Sequence, residues 1–226
     1  ISKRLTSLTF LEHLEVDIHY FERTWLTETD FIYYFKEGER LKKKYQEQIR
    51  VRLGIEIGYN PLAVDLLKKR LAEYPCERIG LSYHFLFDGN KHLNMVSRRQ
   101  ENIDSLTAFG PDKVVTLYFD GLIQAVQKLN CHVLCHLDAV MRHYPDLRFQ
   151  ESHWNQVDTL LLLMRDKRIM LELNTSGFTL RNIPYPCQRI VQKAIDLGIQ
   201  LVAGSDAHRP EQVGRDFDRL PAFLSS

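Results

Sequence analysis

The segment Gly204-Ser205-Asp206-Ala207-His208-Arg209-Pro210 sets a carboxylate, an imidazole and a guanidinium in close succession, directly after the apolar run Ile199 to Ala203. Strand ends in parallel α/β folds are where ligands bind. The other apolar runs of the chain finish in the same way. The first ends in Glu12-His13, the second carries Glu56, and the third ends in His84. The fourth ends in His136 with Asp138 just beyond it, and the fifth carries Glu172 and Asn174. Mixed imidazole and carboxylate donors suit Zn, Mn or Fe. Several carboxylates sharing one cup repel one another unless cations fill it. More than one divalent metal is therefore expected. Two metals about 3.5–4 Å apart are a common device for hydrolysing phosphate esters, because they acidify water and neutralise phosphoryl charge.

Taken singly, each residue has a plainer explanation. A lone histidine at a strand end is more often a hydrogen-bonded core group than a ligand, which applies to His84 and His136. Asp206 could cap a turn, and Glu172 could support a ligand without being one. Glu56 is harder to set aside, because an unpaired carboxylate inside an apolar strand is costly. Acid or imidazole at every strand end is not what packing alone produces. His19, His92 and His153 fall outside the pattern and are expected on the surface or in loops.

The elements that must position these groups alternate strand with helix. Strands are expected over Leu5 to Leu11, Val51 to Tyr59, Ile79 to His84, Cys131 to Leu137, Ile169 to Asn174 and Ile199 to Ala203. Helices are expected from a cap at Thr29 or Asp30 to about Gln48, from Pro61 as first helical residue, and from Gly110-Pro111 to about Leu129. Further helices run from a cap at Ser152 to Arg165, from Pro186 to Gly198, and briefly after Pro210. Phe31, Tyr33, Tyr34 and Phe35 are expected to pack the first helix, and the ERLKKKYQEQ run to form its solvated face. Strand–helix alternation predicts βα units around a parallel sheet. No Gly-rich dinucleotide or phosphate-binding loop follows any strand, which favours a barrel over a nucleotide-binding open sheet. The connections Phe85 to Ala108 and Asp138 to Glu151 are long, as loops at a functional rim often are.

Composition sets outer bounds. The chain has 226 residues, 44% apolar and 26% charged, enough for an ordinary globular core. A net charge of +1 argues against a general nucleic-acid or anionic-membrane surface. The longest membrane-like run, Leu160 to Met164, is only a short patch on a helix. Cys76, Cys131, Cys135 and Cys187 are scattered, without a CxxC unit, which suits a reducing cytoplasm.

The segments TFLEH (9–13), GIEIGY (54–59), LSYHF (81–85), VLCHLD (133–138), LELNTSG (171–177) and GSDAHRPEQVG (204–214) together resemble the PHP (polymerase and histidinol phosphatase) superfamily. Within it they resemble the PHP-type histidinol-phosphate phosphatases. The resemblance implies an α/β fold, a distorted (β/α)7 TIM-like barrel, with a site for two or three metal ions. It also implies a phosphoric monoester hydrolase acting on L-histidinol phosphate in histidine biosynthesis. Residue by residue, His13, Glu56, His84, His136, Asp206 and His208 fall on metal-ligand positions, Glu56 on a bridging one. Asp206 and His208 are the expected catalytic pair. Arg181 and Arg209 are candidates for gripping the phosphate, to which a planar guanidinium is suited. Members of the family open with an HxH pair on a first strand. No such pair precedes TFLEH, so one barrel domain over 1–226, lacking its first strand, is expected. Gly58 stands where an acid is often seen, and Cys135 where glycine is usual. The expected partner is a small phosphate ester rather than nucleic acid or a membrane, and homo-oligomer formation is left open. Rival readings are another PHP-type phosphoesterase, a phosphodiesterase or exonuclease, and a non-catalytic PHP-like module.

Overall fold

The computed structural model describes residues 5–144 and 146–225. In chain order the elements begin with β1 (Ser7–Leu14), α1 (Glu28–Tyr45), β2 (Arg50–Gly58), α2 (Val64–Leu71) and β3 (Arg78–Ser82). A small hairpin follows, β4 (Phe85–Phe87) and β5 (His92–Asn94), then α3 (Gln100–Phe109) and α4 (Pro111–Lys128). The second half contains β6 (Val133–Leu134), α5 (Glu151–Asp166), β7 (Met170–Asn174), α6 (Gly177–Arg181), α7 (Gln188–Asp196), β8 (Leu201–Gly204) and α8 (Leu220–Leu224). Six strands form one parallel sheet in the order β1-β2-β3-β6-β7-β8. β1 and β8 are its two edges, yet His13 on β1 and His208 just past β8 bring their rings to 6.4 Å. The sheet therefore curls into a partial barrel, the class of fold expected from the sequence.

The central strands are buried on both faces. In β2, every residue from Leu53 to Gly58 is buried, as a parallel strand covered by helices requires. Edge strand β1 is only half-buried along most of its length. A continuous apolar cluster fills the space between sheet and helices. In it Val114, Tyr118, Leu122 and Val126 of α4 accompany Val157, Leu160, Leu161 and Met164 of α5. Of the run Leu160 to Met164, Leu160, Leu161 and Met164 are core while Leu162 is exposed, and among the described residues no helix is long and apolar enough to cross a membrane.

Several boundaries fall elsewhere than the sequence pattern places them. The cap of α1 is Thr27: its Oγ1 accepts from Asp30 N at 3.1 Å while Asp30 Oδ2 accepts from Thr27 N at 2.8 Å. This reciprocal box takes Asp30 into the first turn. Tyr33 of α1 is exposed, whereas Phe31 is fully buried and Tyr34 and Phe35 are half-buried. Pro61 lies in a turn, not at a helix start, because Asn60 Oδ1 accepts from Leu62 N at 3.0 Å and closes a local turn first. Tyr185 pairs with Asn174 in an isolated bridge, Pro186 lies in the bend that follows, and α7 begins only at Gln188. The run Cys131 to Leu137 yields only a two-residue strand, since the chain turns out of the sheet at His136, whose φ is 26°.

Two histidines expected at the surface are core groups. His153 is buried in the first turn of α5. Its Nδ1 accepts from Gln150 N at 3.2 Å, and its Nε2 meets Thr116 Oγ1 at 3.0 Å. This box caps α5 from Gln150 rather than Ser152. His92 is buried in β5, where its Nδ1 accepts from His19 N at 3.1 Å; His19 itself is exposed. The expected loop Phe85 to Ala108 is in fact mostly the hairpin and α3.

Candidate metal centre

Strand register sets up the centre. His13 lies directly opposite Glu56 across β1 and β2, with Nε2 to Oε2 at 3.9 Å. Just past the ends of β3 and β6, His84 and His136 turn their rings inward. Glu56 Oε1 is 3.3 Å from His84 Nε2 and 3.1 Å from His136 Nε2, and the two nitrogens are 3.4 Å apart. His13 stacks on His84 at 5.0 Å between ring centroids. Cys135, next to His136, is accommodated because Gly80 on the neighbouring strand has no side chain: a Cβ there would lie 2.8 Å from its sulfur.

At the other edge, Asp206 takes φ 47°, a left-handed conformation that aspartate tolerates better than most residues. Ser176 Oγ donates to its Oδ2 at 3.3 Å. His208 Nδ1 donates to the Asp206 carbonyl at 3.0 Å, which leaves Nε2 with a free lone pair. Asp206 and His208 reach this side of the sheet but, among the described residues, belong to neither group whose donor atoms are close enough to share one ion. His13, His84, His136, Asp206 and His208 line one cleft of about 220 Å³, with Glu56 at its floor.

Electrostatics fit a cation site. Burial works against charge on Glu56. His13, His136 and His84 outweigh it and hold the carboxyl well below the usual carboxylate range. Burial lowers the His84 pKa, but hydrogen bonds to Glu15 and Glu56 reverse this and push it to about 10. For His136 the Glu56 hydrogen bond likewise wins over burial and raises the pKa. Burial pushes Glu172 up to about 7. Its Oε2 accepts from His136 N at 2.8 Å and Asn174 Nδ2 at 3.0 Å, so Glu172 braces His136 rather than facing the cleft. Two imidazole nitrogens aimed at each other and at one carboxylate oxygen repel unless protons or a cation stand between them. Divalent ions replace such protons on binding. Among the described residues, two groups have donor atoms close enough to share an ion: Glu56, His84 and His136, and His13, Glu15 and His84. The cluster can therefore bind divalent metal.

The expected arginines are placed differently. Arg181 is not in the cleft: its guanidinium donates to Asp138 Oδ2 at 3.0 Å and lies over the Tyr185 ring at 4.5 Å. Arg209 is exposed on the loop after His208 and does not line the cleft. The arginine that does is Arg142, in the turn of helix Ala139–His143. One of its nitrogens donates to Val96 O at 2.7 Å, and its Nε is buried without a partner. Arg142 and Glu15 were not among the expected residues. Glu15 carried a signal, two positions after His13; Arg142 carried only its place in a long rim connection.

Comparison with known proteins gives consistent results. Among curated relatives, a Schizosaccharomyces pombe protein named "Probable histidinol-phosphatase" is 25% identical over 99% of this chain and 77% of its own length. A Deinococcus radiodurans protein of the same name is 24% identical over 94% of this chain and 78% of its own. A Listeria monocytogenes structure, provisionally assigned as a histidinol phosphatase, superposes with a TM-score of 0.88 at 21% identity, covering 96% of this chain and 89% of that one. The Lactococcus lactis histidinol phosphate phosphatase, solved with zinc, L-histidinol and phosphate, gives 0.73 at 17% identity, covering 99% of this chain and 82% of that one. At these identities the two structures establish a shared fold. A model described as PHP-associated matches residues 184–217. Since the PHP domain model itself matches residues 1–176, the chain belongs to the PHP domain family.

Proposed function

We propose that this protein is a metal-dependent phosphomonoesterase that hydrolyses L-histidinol phosphate to L-histidinol and phosphate, a step of histidine biosynthesis. The observation that carries this reading is the meeting of Glu56 Oε1, His84 Nε2 and His136 Nε2 within 3.4 Å at the floor of a cleft bordered by Arg142. The names of the curated relatives and the ligands of the Lactococcus lactis structure support the choice of substrate.

In this reading His13, Glu56, His84, His136, Asp206 and His208 hold two or three divalent ions of Zn, Mn or Fe. When bound, such ions lower the pKa of water and offset charge on the phosphoryl oxygens. The rest falls to the chain. Glu56, kept ionised by its histidines, anchors the floor. Arg142, which lines the cleft, offers its guanidinium to the phosphate oxygens, so the phosphate grip moves from Arg181, already committed to Asp138, to Arg142. Arg209, beside the mouth, is free to add to that grip. Water adds to phosphorus, the P–O bond to the alcohol breaks, and the alkoxide takes a proton at the mouth, where Asp206 and His208 stand. The reading of the chain as one domain is supported by the larger apolar cluster, whose residues run from Leu14 to Ile199. Four free cysteines suit a reducing compartment, the cytoplasm.

The test compares phosphate release from L-histidinol phosphate with cleavage of single-stranded DNA, using full-length protein before and after chelation. Metal-dependent phosphate release from the ester is expected. Cleavage of DNA in preference to the ester, or turnover unaffected by chelation, would refute the reading.

A further inference from the structure

Glu15 lies just past β1, and nothing in the reaction above calls for it. Its side chain is only 1% exposed. One oxygen, Oε1, is 2.8 Å from His84 Nδ1, and the other, Oε2, is buried without any partner. A carboxylate is kept in such a place only where something offsets its lost hydration.

The room it occupies is made by Gly58. A Cβ on Gly58 would lie 1.9 Å from Glu15 Oε2 and 2.1 Å from its Cδ. Gly58 is not among the residues with positive φ, so backbone conformation does not require glycine there. Space does. Residue 15 and position 58 are thus two halves of one fit, reached from neighbouring strands.

The consequence falls on His84. A carboxylate oxygen accepts, so across the 2.8 Å contact Nδ1 is the donor to Glu15. That leaves the lone pair of the neutral ring on Nε2, the nitrogen that faces Glu56 at 3.3 Å and His136 at 3.4 Å. Carboxylates behind ligating histidines act in this way, fixing tautomer and ring orientation. We propose that Glu15, seated in the space left by Gly58, is a positioning residue of the metal centre: it takes the Nδ1 hydrogen of His84 and so presents Nε2 to the cation held with Glu56 and His136. This rests on the metal-centre reading above.

The test titrates Mn²⁺ into chelator-stripped full-length protein by calorimetry. Wild type must bind; if it does not, the metal-centre reading itself fails. Given wild-type binding, Glu15→Gln is expected to lower Mn²⁺ affinity about 10- to 100-fold with unchanged far-ultraviolet circular dichroism. Unchanged affinity overturns the inference. Gly58→Asp alone should also lose affinity by displacing Glu15. Combined with Glu15→Ala, it should restore at least a tenfold share of what Glu15→Ala loses, because the new carboxylate enters the same space. Purely additive losses overturn the shared-space claim. Should the variants not fold, ¹⁵N-histidine spectra of metal-loaded wild type decide the matter: hydrogen on His84 Nδ1 supports the proposal, and hydrogen on Nε2 overturns it.

Discussion

Glu56, His84 and His136 come from three neighbouring strands in the interior of the sheet and are all buried, whereas Asp206 and His208 follow edge strand β8, and the His208 side chain is 71% exposed. The side chains of the floor are packed together, with nitrogen and oxygen atoms 3.1–3.4 Å apart. The mouth is held mainly by its own loop, through the Asp206 carbonyl and through Gln212 Oε1, which accepts from His208 N at 2.9 Å. Packing fixes the floor before any ligand arrives, which is what preorganisation means in a catalytic site. The mouth can adjust, and segments that must admit and release ligands are usually the less tightly packed ones.

That contrast can be broken most sharply at Glu56. Glu56→Gln removes the one carboxylate shared by three histidines and should reduce kcat by a factor on the order of 10³ or more, since metal-derived stabilisation is worth several kcal/mol. Steady-state hydrolysis of L-histidinol phosphate alongside elemental analysis checks it; a variant that retains metal and rate would make the floor dispensable. His208→Ala and Asp206→Ala should cost about 10²–10³ in kcat, the scale of losing a well-placed charge-stabilising group. Both should leave the far-ultraviolet spectrum of the fold intact. If either mouth variant unfolds, the distinction between the two regions collapses. Arg142→Ala should raise KM and lower kcat/KM about 10- to 100-fold, with Arg142→Lys recovering only part, because a point charge replaces a planar fork. The matching Arg181→Lys change should affect melting temperature more than kcat/KM, as its Asp138 partner is structural. Saturating Mn²⁺ at about 100 times its Kd should add about 2.7 kcal/mol, or about 5–10 °C in Tm for a chain of this size. Differential scanning fluorimetry should show this shift vanish in His136→Ala yet survive in part in His208→Ala. Ser176→Ala, which removes one 3.3 Å hydrogen bond to Asp206, should change kcat/KM by less than about tenfold.

The floor was the more legible region in sequence, and the reason is periodicity. A buried parallel strand announces itself by a near-continuous apolar run, so Glu56 within VRLGIEIG stood out at once. His84 and His136 followed because each closes such a run. The mouth showed through a compact motif, GSDAHRP, rather than through strand pattern. What stayed hidden depended on a partner distant in the chain. Arg181 looked like a phosphate ligand because Asp138, 43 positions earlier, could not be seen beside it. Arg142 sits in a single turn of 3-10 helix, too short to leave a period. The β4–β5 hairpin uses three-residue strands, below the length at which alternation is readable. For His92 and His153 the sequence offers only a polar residue type outside the motif, which points to the surface. Each is instead buried with a hydrogen bond from a distant residue, to Nδ1 of His92 and at Nε2 of His153.

The positive φ of His136 and of Asp206 has a consequence for selectivity. Each donor leaves its strand through a backbone bend that a freely hinged chain would avoid. Swivelling it toward an ion of unsuitable radius would mean unwinding that corner, not merely turning a side chain. In the metal-centre reading proposed above, tolerance for an ion of the wrong size is therefore expected to grow wherever those two corners are relaxed, which metal titrations of variants at His136 and Asp206 would show.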